Sequence, residues 1–195
     1  MNKVAFVRES RQKGYKVLGI VIGEVVESYT IKRSTYEEMG TPSRASLIDG
    51  EALEIIKKED ECFRALRRAL SILSYADNSK STLKLKLYRA GFSRDAINFA
   101  LEDCIKNGYI DENKQLLRLV SSIANGKLRG PLYIRRYLLS KGYSIGDINS
   151  AIDELVDSGE VDFDEIYKRL IEKTGTEDSD GRRALAYKWG FRGNF

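Results

Sequence analysis

Residues 81–111 read STLKLKLYRAGFSRDAINFALEDCIKNGYID, and this stretch is the most informative part of the chain because it returns later. Its Gly91-Phe92 pair recurs 51 residues later as Gly142-Tyr143, and a third copy begins at Gly190-Phe191 after a further 48 residues. A fixed period of this size is typical of stacked helical repeats. The sequence therefore predicts a mainly α protein: tandem repeats of three-helix units in an elongated array, with a small β-rich N-terminal segment.

The middle helix of each unit precedes the recurring glycine. Its predicted ranges are Ser81–Ala90, Pro131–Lys141 and Arg182–Trp189. Leu83–Leu87 alternates apolar and polar residues and would alone indicate a strand, but the equivalent stretch Ile134–Leu138 does not alternate, so the comparison favours a helix. Each glycine is expected to take the left-handed conformation that ends a helix.

The last helix of each unit opens at a serine, Ser93 or Ser144, whose hydroxyl can accept hydrogen bonds from the first free N–H groups. Apolar residues then follow at the spacing of an amphipathic helix, so we expect this face to be buried. The predicted core positions are Ile97, Ala100, Leu101, Cys104 and Ile105 in the first copy, and Ile148, Ala151, Ile152, Leu155 and Val156 in the second.

The first helix of each unit is predicted to start at an aspartate. Asp60, Asp111 and Asp162 are spaced by 51 residues, and an aspartate at a helix N-terminus accepts backbone hydrogen bonds and meets the positive end of the dipole. Before them, Asp49 is expected to cap a short helix that ends in a solvated hinge at Lys57–Glu61. The predicted organisation is a β-rich extension over 1–58, repeats over 60–110 and 111–161, and a partial third repeat over 162–195, in which Arg192 replaces the serine cap.

The first sixty residues are rich in β-branched and aromatic residues punctuated by glycine, which predicts a small antiparallel sheet. The expected strands are Val4–Val7, Tyr15–Ile22 and Glu24–Ile31, with a further one in Ser43–Ile48. This sheet either caps the helical array or offers a docking surface to a partner. A phosphate-binding loop of the G-x-x-x-x-G-K-[ST] type is absent from the sequence.

Composition narrows the class of function. The chain has no histidine, which removes the commonest general base and most zinc sites, so we expect neither an enzyme nor a cofactor or metal. Cys62 and Cys104 lie within apolar helical patterns and are predicted to be buried thiols. The sequence has no apolar run of about 18 residues and no secretory pattern, so the expected location is cytoplasmic, away from membranes.

A net charge of only +4 hides a segregation of charge along the chain. Lys80–Arg94 and Lys127–Tyr143 each hold five basic residues and no acid, whereas Asp153–Glu165 holds seven acids and no base. The basic helices are either ordinary solvated surface or a ribbon that binds phosphates along the array. Tyrosines among the cations either stack on bases or pack at the rim of the core: Tyr88, Tyr133, Tyr137 and Tyr187. The candidate phosphate-binding residues are Lys84, Lys86, Arg89, Arg129, Arg135, Arg136, Lys141, Arg182, Arg183 and Lys188.

Three motifs resemble a known family. Residues 87–92 (LYRAGF), 107–112 (NGYIDE) and 129–143 (RGPLYIRRYLLSKGY) are similar to those of the RecX regulators of the bacterial recombinase RecA. The likeness extends from about Asp60 to Phe191. The chain departs from the family pattern at Gln115, where an aromatic residue is common.

The resemblance implies a non-enzymatic modulator in DNA repair and the SOS response. Proteins of this family bind the RecA–DNA filament, lie in its groove, and limit filament growth, ATP hydrolysis and strand exchange. The partners that the resemblance implies are the RecA filament and DNA bound without sequence preference, and the protein is expected to act as a monomer. We expect Lys84, Arg135, Arg136 and Arg183 to contribute most to that contact, and charge reversal at Arg135 and Arg136 to weaken it without lowering the melting temperature.

Two other functions fit the residues. One is a general DNA-binding protein that uses the basic ribbon without a recombinase partner. The other is an interaction scaffold whose acidic stretch, Asp153–Glu165, binds a basic protein.

Overall fold

The computed structural model describes residues 2–191, which form four strands, nine α-helices and one π-helical turn. The chain divides into two compact units. The first comprises the chain up to Tyr75 together with Lys84–Asn107, and the second comprises Ala76–Leu83 together with the chain from Gly108 onward. The predicted replacement of a serine cap by Arg192 lies outside the described residues.

The N-terminal sheet is present as predicted. Its four antiparallel strands lie in the order β3-β2-β1-β4: β1 is Asn2–Glu9, β2 is Tyr15–Ile22, β3 is Val25–Lys32 and β4 is Leu47–Ile48. β4 is shorter than predicted because Ala45 takes a positive φ of 75° and the Ser46 N–H donates to the Ser43 carbonyl, which forms a turn there. A short helix, α1 (Arg33–Glu38), connects β3 to this turn.

The long helix α2, Gly50–Leu73, corrects two predictions. Asp49 caps it as expected, accepting from the Ala52 N–H at 2.7 Å. However, the predicted hinge at Lys57–Glu61 and the predicted helix start at Asp60 are both wrong, because α2 runs through them without a break. Buried positions keep helical spacing on both sides of the charged run, so packing carries the helix across it: Leu53, Ile56, Ala65, Leu66 and Ala69.

Asp60 serves the sheet instead of a helix end. It is buried in the middle of α2, where one carboxylate oxygen accepts from the Thr30 N–H at 2.8 Å and the other from Arg64 Nε at 2.7 Å. β3 is an edge strand of the sheet, so its outward N–H groups need partners from elsewhere. Asp60 supplies one of them and ties α2 to the sheet.

The remaining helices agree with the predicted pattern of caps. The Ser93 and Ser144 hydroxyls and the Asp111 and Asp162 carboxylates each accept a backbone N–H at the start of the following helix. The helices are α3 (Lys80–Arg89), α4 (Arg94–Lys106), α5 (Glu112–Ser121), α6 (Pro131–Ser140), α7 (Ile145–Asp157), α8 (Phe163–Thr174) and α9 (Ser179–Trp189), with a π-helical turn over Ser122–Gly126 between α5 and α6. Their arrangement as an elongated array of repeats, and the repeat boundaries, stay predictions.

The predicted apolar stripes are buried except at their last members. Ile105 and Val156 are 42% and 43% exposed. Each lies in the last turn of its helix, beyond the last residue that is buried in the core. In the second unit the stripe of α7 packs with Leu116, Ile134 and Leu138, which are fully buried.

The second unit also explains the departure at Gln115. The amide is buried, and its oxygen accepts a hydrogen bond from the Tyr143 hydroxyl at 3.0 Å. Burial, with smaller effects from Glu112 and Asp77, raises the pKa of Tyr143 to about 12. The phenol therefore stays protonated at neutral pH and remains a donor to the glutamine.

The predicted left-handed glycines are confirmed at Gly91, Gly142 and Gly190, with φ of 86°, 83° and 79°. At Gly190 a close approach adds to the requirement. Its carbonyl accepts from the Leu132 N–H at 3.0 Å, and the Trp189 carbonyl accepts from the Gly130 N–H at 2.8 Å. The end of α9 thus joins the start of α6 through backbone hydrogen bonds.

None of the helices between residues 2 and 191 combines the length and apolar character that a membrane crossing requires.

We expect Asp60→Ala to lower the free energy of unfolding by about 1–3 kcal/mol, because the Thr30 N–H loses its acceptor where β3 packs on α2. Chemical denaturation followed by circular dichroism measures the loss. Glu54→Ala is the matched control, since Glu54 lies on the same helix and pairs with Lys57 at the surface. It should change stability by less than about 0.5 kcal/mol. Equal losses for the two variants would contradict the role given to Asp60.

We expect Gly190→Ala to destabilise the protein more than Gly91→Ala. Both place an L-residue at positive φ, which costs about 1–2 kcal/mol. A Cβ at Gly190 would also lie 2.2 Å from the Tyr133 backbone nitrogen, whereas one at Gly91 meets no atom within 4 Å among the described residues. Thermal melts of the two variants test the difference, and similar melting temperatures would argue against a close backbone joint.

Candidate nucleic-acid interface

Eight of the ten predicted cations have exposed side chains, and two are partly buried. The exposed ones are Lys84, Lys86 and Arg89 on α3, Arg136 on α6, Lys141 directly after it, and Arg182, Arg183 and Lys188 on α9. The partly buried ones are Arg129 and Arg135. The cations of α3 belong to the first unit, and those from Arg129 onward belong to the second.

In the first unit the cations of α3 meet further cations of α2 that the sequence analysis missed. A groove, the α2–α3 groove, is lined by Arg68, Ser71, Ile72, Tyr75, Lys86 and Arg89. Three cations line it and no carboxylate of the described residues does, and the Tyr75 side chain is 88% exposed. The sequence signal that would have found Arg68 is the helical spacing of Arg64, Arg67 and Arg68. All three arginines are exposed on α2.

In the second unit three aromatic rings of α6 and α9 form a row, which we call the aromatic ladder: Trp189, Tyr133 and Tyr137. The Trp189 and Tyr133 centroids lie 6.3 Å apart with the rings tilted by 60°, and Tyr133 and Tyr137 lie 6.2 Å apart and nearly parallel. All three side chains are partly buried. Tyr88 and Tyr187, by contrast, are exposed.

Cations surround the aromatic ladder. The Arg129 guanidinium carbon lies 3.5 Å from the Trp189 ring centroid and 5.5 Å from that of Tyr133. The ammonium groups of Lys127 and Lys141 lie 5.8 and 5.3 Å from the Tyr137 centroid, and that of Lys188 lies 5.0 Å from Trp189. Each such contact stabilises by about 0.5–2 kcal/mol. The rings therefore position the positive charges and leave them available. A carboxylate would position them too, but its negative charge would neutralise them.

An irregular backbone holds Arg129 in this place. The π-helical turn Ser122–Gly126 precedes it, and Leu128 takes a left-handed φ of 54° while its side chain is buried. The guanidinium donates to the Lys127 and Leu128 carbonyls, at 2.5 and 3.3 Å. Its Nε is buried and has no hydrogen-bond partner among the described residues.

The three cations that lie seven residues before a recurring glycine have different surroundings. Lys84 is exposed. Arg135 is partly buried, and its Nε donates to Asn149 Oδ1 of α7 at 2.7 Å. Arg183 lies 3.9 Å from a carboxylate oxygen of Asp180. The proposed common role of these residues in binding stays a prediction.

Both thiols have a pKa above the ordinary value. Cys104 is buried as predicted, and burial together with Asp103 raises its pKa to about 11. Cys62 is only partly buried, and burial, followed by the charge of Glu61, raises its pKa as well. Both thiols stay protonated at neutral pH, so neither provides a thiolate nucleophile.

The chain is similar to proteins named RecX. No family model matches the chain. Among curated relatives, the regulatory protein RecX of Limosilactobacillus reuteri is 26% identical over 126 residues, which cover 65% of this chain and 47% of the relative. The RecX of Lactobacillus johnsonii is 32% identical over 64% of this chain and 45% of the relative. That of Xanthomonas axonopodis pv. citri is 27% identical over 66% of this chain and 81% of the relative.

Solved structures give the same result for the fold. A crystal structure of regulatory protein RecX matches with a TM-score of 0.74, covering 98% of this chain and 95% of that one at 19% identity. The crystal structure of RecX from Lactobacillus salivarius matches with a TM-score of 0.57, covering 68% of this chain and 90% of that one, also at 19% identity.

The helices and the N-terminal sheet define a mainly helical protein with a small β-sheet, and the relatives that it matches are regulatory proteins. The chain is similar to the RecX family in sequence and in fold, as the sequence motifs predicted. It spans about half the length of the first curated relatives that it matches.

We expect Arg135→Glu to destabilise the protein and Arg136→Glu to leave its stability unchanged. Arg135 loses a partly buried hydrogen bond to Asn149, worth about 1–2 kcal/mol, whereas its exposed neighbour Arg136 loses little. This revises the expectation that charge reversal at both positions spares the melting temperature. Thermal melts of the two single variants measure the effect, and a melting temperature unchanged by Arg135→Glu would contradict it.

Proposed function

We propose that this protein binds the RecA–DNA filament and limits RecA's ATPase and strand exchange, as the resemblance to the RecX regulators implies. The observation that carries the proposal is the pair of cationic surfaces, the α2–α3 groove and the aromatic ladder. Each brings three or more cations together with exposed or half-exposed rings. Such surfaces suit the phosphates of DNA held in a filament.

The chemistry of these surfaces supports binding without sequence preference. Lysine and arginine contact phosphates, which position a protein on DNA but carry no sequence information. Aromatic rings add affinity by stacking against any base. A regulator that must act anywhere along a filament needs this kind of contact, because the filament forms on DNA of every sequence.

A ligand lying along the filament limits ATP hydrolysis if it binds one filament conformation better than others. A bound protein shifts such an equilibrium only by its differential affinity for the two states. Contacts to both recombinase and DNA provide that difference in affinity, because the spacing between the recombinase and DNA contacts changes with the conformation of the filament. The acidic stretch Asp153–Glu165 and the cationic surfaces give the chain faces of both signs for such a composite partner.

The second candidate function is general DNA binding without a recombinase partner. It is favoured by the same cationic surfaces, since neither of them needs RecA to bind a phosphate. The two functions differ in what RecA adds. Affinity for naked DNA that equals the affinity for RecA-coated DNA would favour the second.

We expect the wild-type protein, added below the RecA concentration, to reduce RecA's single-strand-dependent ATPase. Arg68→Glu/Arg89→Glu should weaken this inhibition. The double variant should also lower the slope of log affinity for DNA against log salt concentration by about two, because two phosphate contacts are lost. Lys58→Glu/Lys106→Glu is the matched control, with the same charge change at exposed lysines of the same unit outside the groove. ATPase rates at a fixed RecA concentration provide the measurement.

An unchanged ATPase rate with the wild-type protein would reject the proposed function. Equal weakening by the groove variant and the control would instead reject the α2–α3 groove as a contact surface.

A further inference from the structure

A second groove, the Trp189 groove, lies in the second unit beside the aromatic ladder. It encloses about 400 Å³, within the range of small-ligand sites. Three cations line it, and no carboxylate between residues 2 and 191 does. Lys173, in the last turn of α8, was not among the residues singled out from the sequence. The lining residues are Gly126, Lys127, Leu128, Arg129, Leu170, Lys173, Thr174 and Trp189.

Arg129 is under-satisfied at this groove. A guanidinium carries five N–H donors, and the hydrogen bonds of Arg129 go to two backbone carbonyls. Its Nε is buried without a partner among the described residues. A buried charged donor without an acceptor is unfavourable, and an anionic oxygen is the partner that relieves it best.

The backbone around Arg129 is held in two uncommon conformations. A π-helical turn over Ser122–Gly126 leads into it, and such turns are frequent at functional sites. Leu128 then adopts a positive φ, which is unfavourable for a residue with a Cβ. Residues in such conformations persist where the surrounding structure requires them, and they cluster at binding sites.

The lining chemistry selects a ligand with both a phosphate and a flat ring. Two ammonium groups and a guanidinium match the charge of a phosphate. The Trp189 indole with the Arg129 guanidinium 3.5 Å from its centre offers a flat, cationic surface of the kind on which bases stack. A base in a duplex is already paired and stacked, so an unpaired base suits this surface best.

We propose that the Trp189 groove binds one nucleotide of a single strand, with the phosphate at Lys127, Arg129 and Lys173 and the base against the Trp189–Arg129 stack. The inference rests on the proposed function in that the single strand is the DNA of the filament. It adds that this groove contacts an unpaired base as well as a phosphate.

Tryptophan fluorescence tests the groove directly, because Trp189 is the only tryptophan in the chain. The protein of residues 1–195 is titrated with single-stranded oligo(dT), with an abasic deoxyribose-phosphate oligomer of the same length, with ATP and with poly-glutamate. We expect saturable quenching by oligo(dT), a weaker response to ATP, and binding of the abasic oligomer without quenching. Oligo(dT) binding that leaves the fluorescence unchanged would overturn the proposal, and so would equal responses to oligo(dT) and poly-glutamate.

Charge reversal identifies the phosphate contacts. Lys127→Glu/Lys173→Glu should weaken oligo(dT) binding about tenfold or more and lower the salt slope by about two. Lys114→Glu/Lys168→Glu is the matched control, at two exposed lysines of the same unit that do not line the groove. Fluorescence anisotropy of a labelled oligonucleotide measures binding, and melting temperatures establish that each variant is folded. Equal affinities of the two double variants would overturn the phosphate assignment.

Trp189→Leu tests the stack by the same anisotropy assay. It should weaken binding of oligo(dT) by about tenfold and binding of the abasic oligomer by much less, because both lose the support that Trp189 gives Arg129 but only oligo(dT) also loses a base contact. A loss shared equally by both oligomers would contradict base stacking.

The RecA ATPase assay separates this inference from the proposed function. Inhibition of RecA by a wild-type protein whose tryptophan does not respond to oligo(dT) would overturn the inference and leave the proposed function standing. Quenching by oligo(dT) in a protein that leaves RecA's ATPase unchanged would reject the proposed function and leave the groove as a single-strand site.

Discussion

The stacking of Arg129 on Trp189 is the contact on which the cationic surface of the second unit depends. It is possible only because the end of α9 meets the start of α6 backbone to backbone, with Trp189 accepting from Gly130 and Gly190 accepting from Leu132. Glycine at 130 and 190 permits that approach, since a Cβ at either would lie within 2.5 Å of backbone atoms. Two glycines therefore decide where an arginine and a tryptophan meet.

The positive charge around the aromatic ladder is positioned by rings more than by carboxylates. An ion pair would hold a lysine in place but would cancel its field, whereas a ring holds it and leaves the charge available to a phosphate. Lys127, Lys141, Arg129 and Lys188 are all arranged in this way. The overall charge of +4 gives little indication of it, because acids are concentrated elsewhere in the chain.

The similarity to RecX proteins gives these surfaces a context. The relatives are regulatory proteins, and the fold is shared with a crystal structure of RecX at only 19% identity. At that identity the fold is a firmer guide than any single residue. The cations proposed for binding therefore rest on where this chain places them, and the Trp189 groove on an arginine donor that the described residues leave unpaired.

Local sequence was sufficient to predict most of the elements and their ends. Helix caps such as Ser93 and Asp111, left-handed glycines and strand patterns all depend on interactions within a few residues, so local rules find them. The same rules failed at Asp60, whose spacing matched a cap but whose partner, the Thr30 N–H, is distant in sequence.

Which cations share a surface was settled by tertiary packing alone. Arg68 lies beside Arg89 in one groove, and Lys173 lies beside Arg129 in another. Arg135 donates its Nε–H to Asn149 of α7, a partner that the sequence did not indicate, and its predicted contact with a phosphate stays a prediction. Each of these pairings joins residues from separate segments of the chain, and the periodicity of a single helix carries no information about which neighbour it will meet.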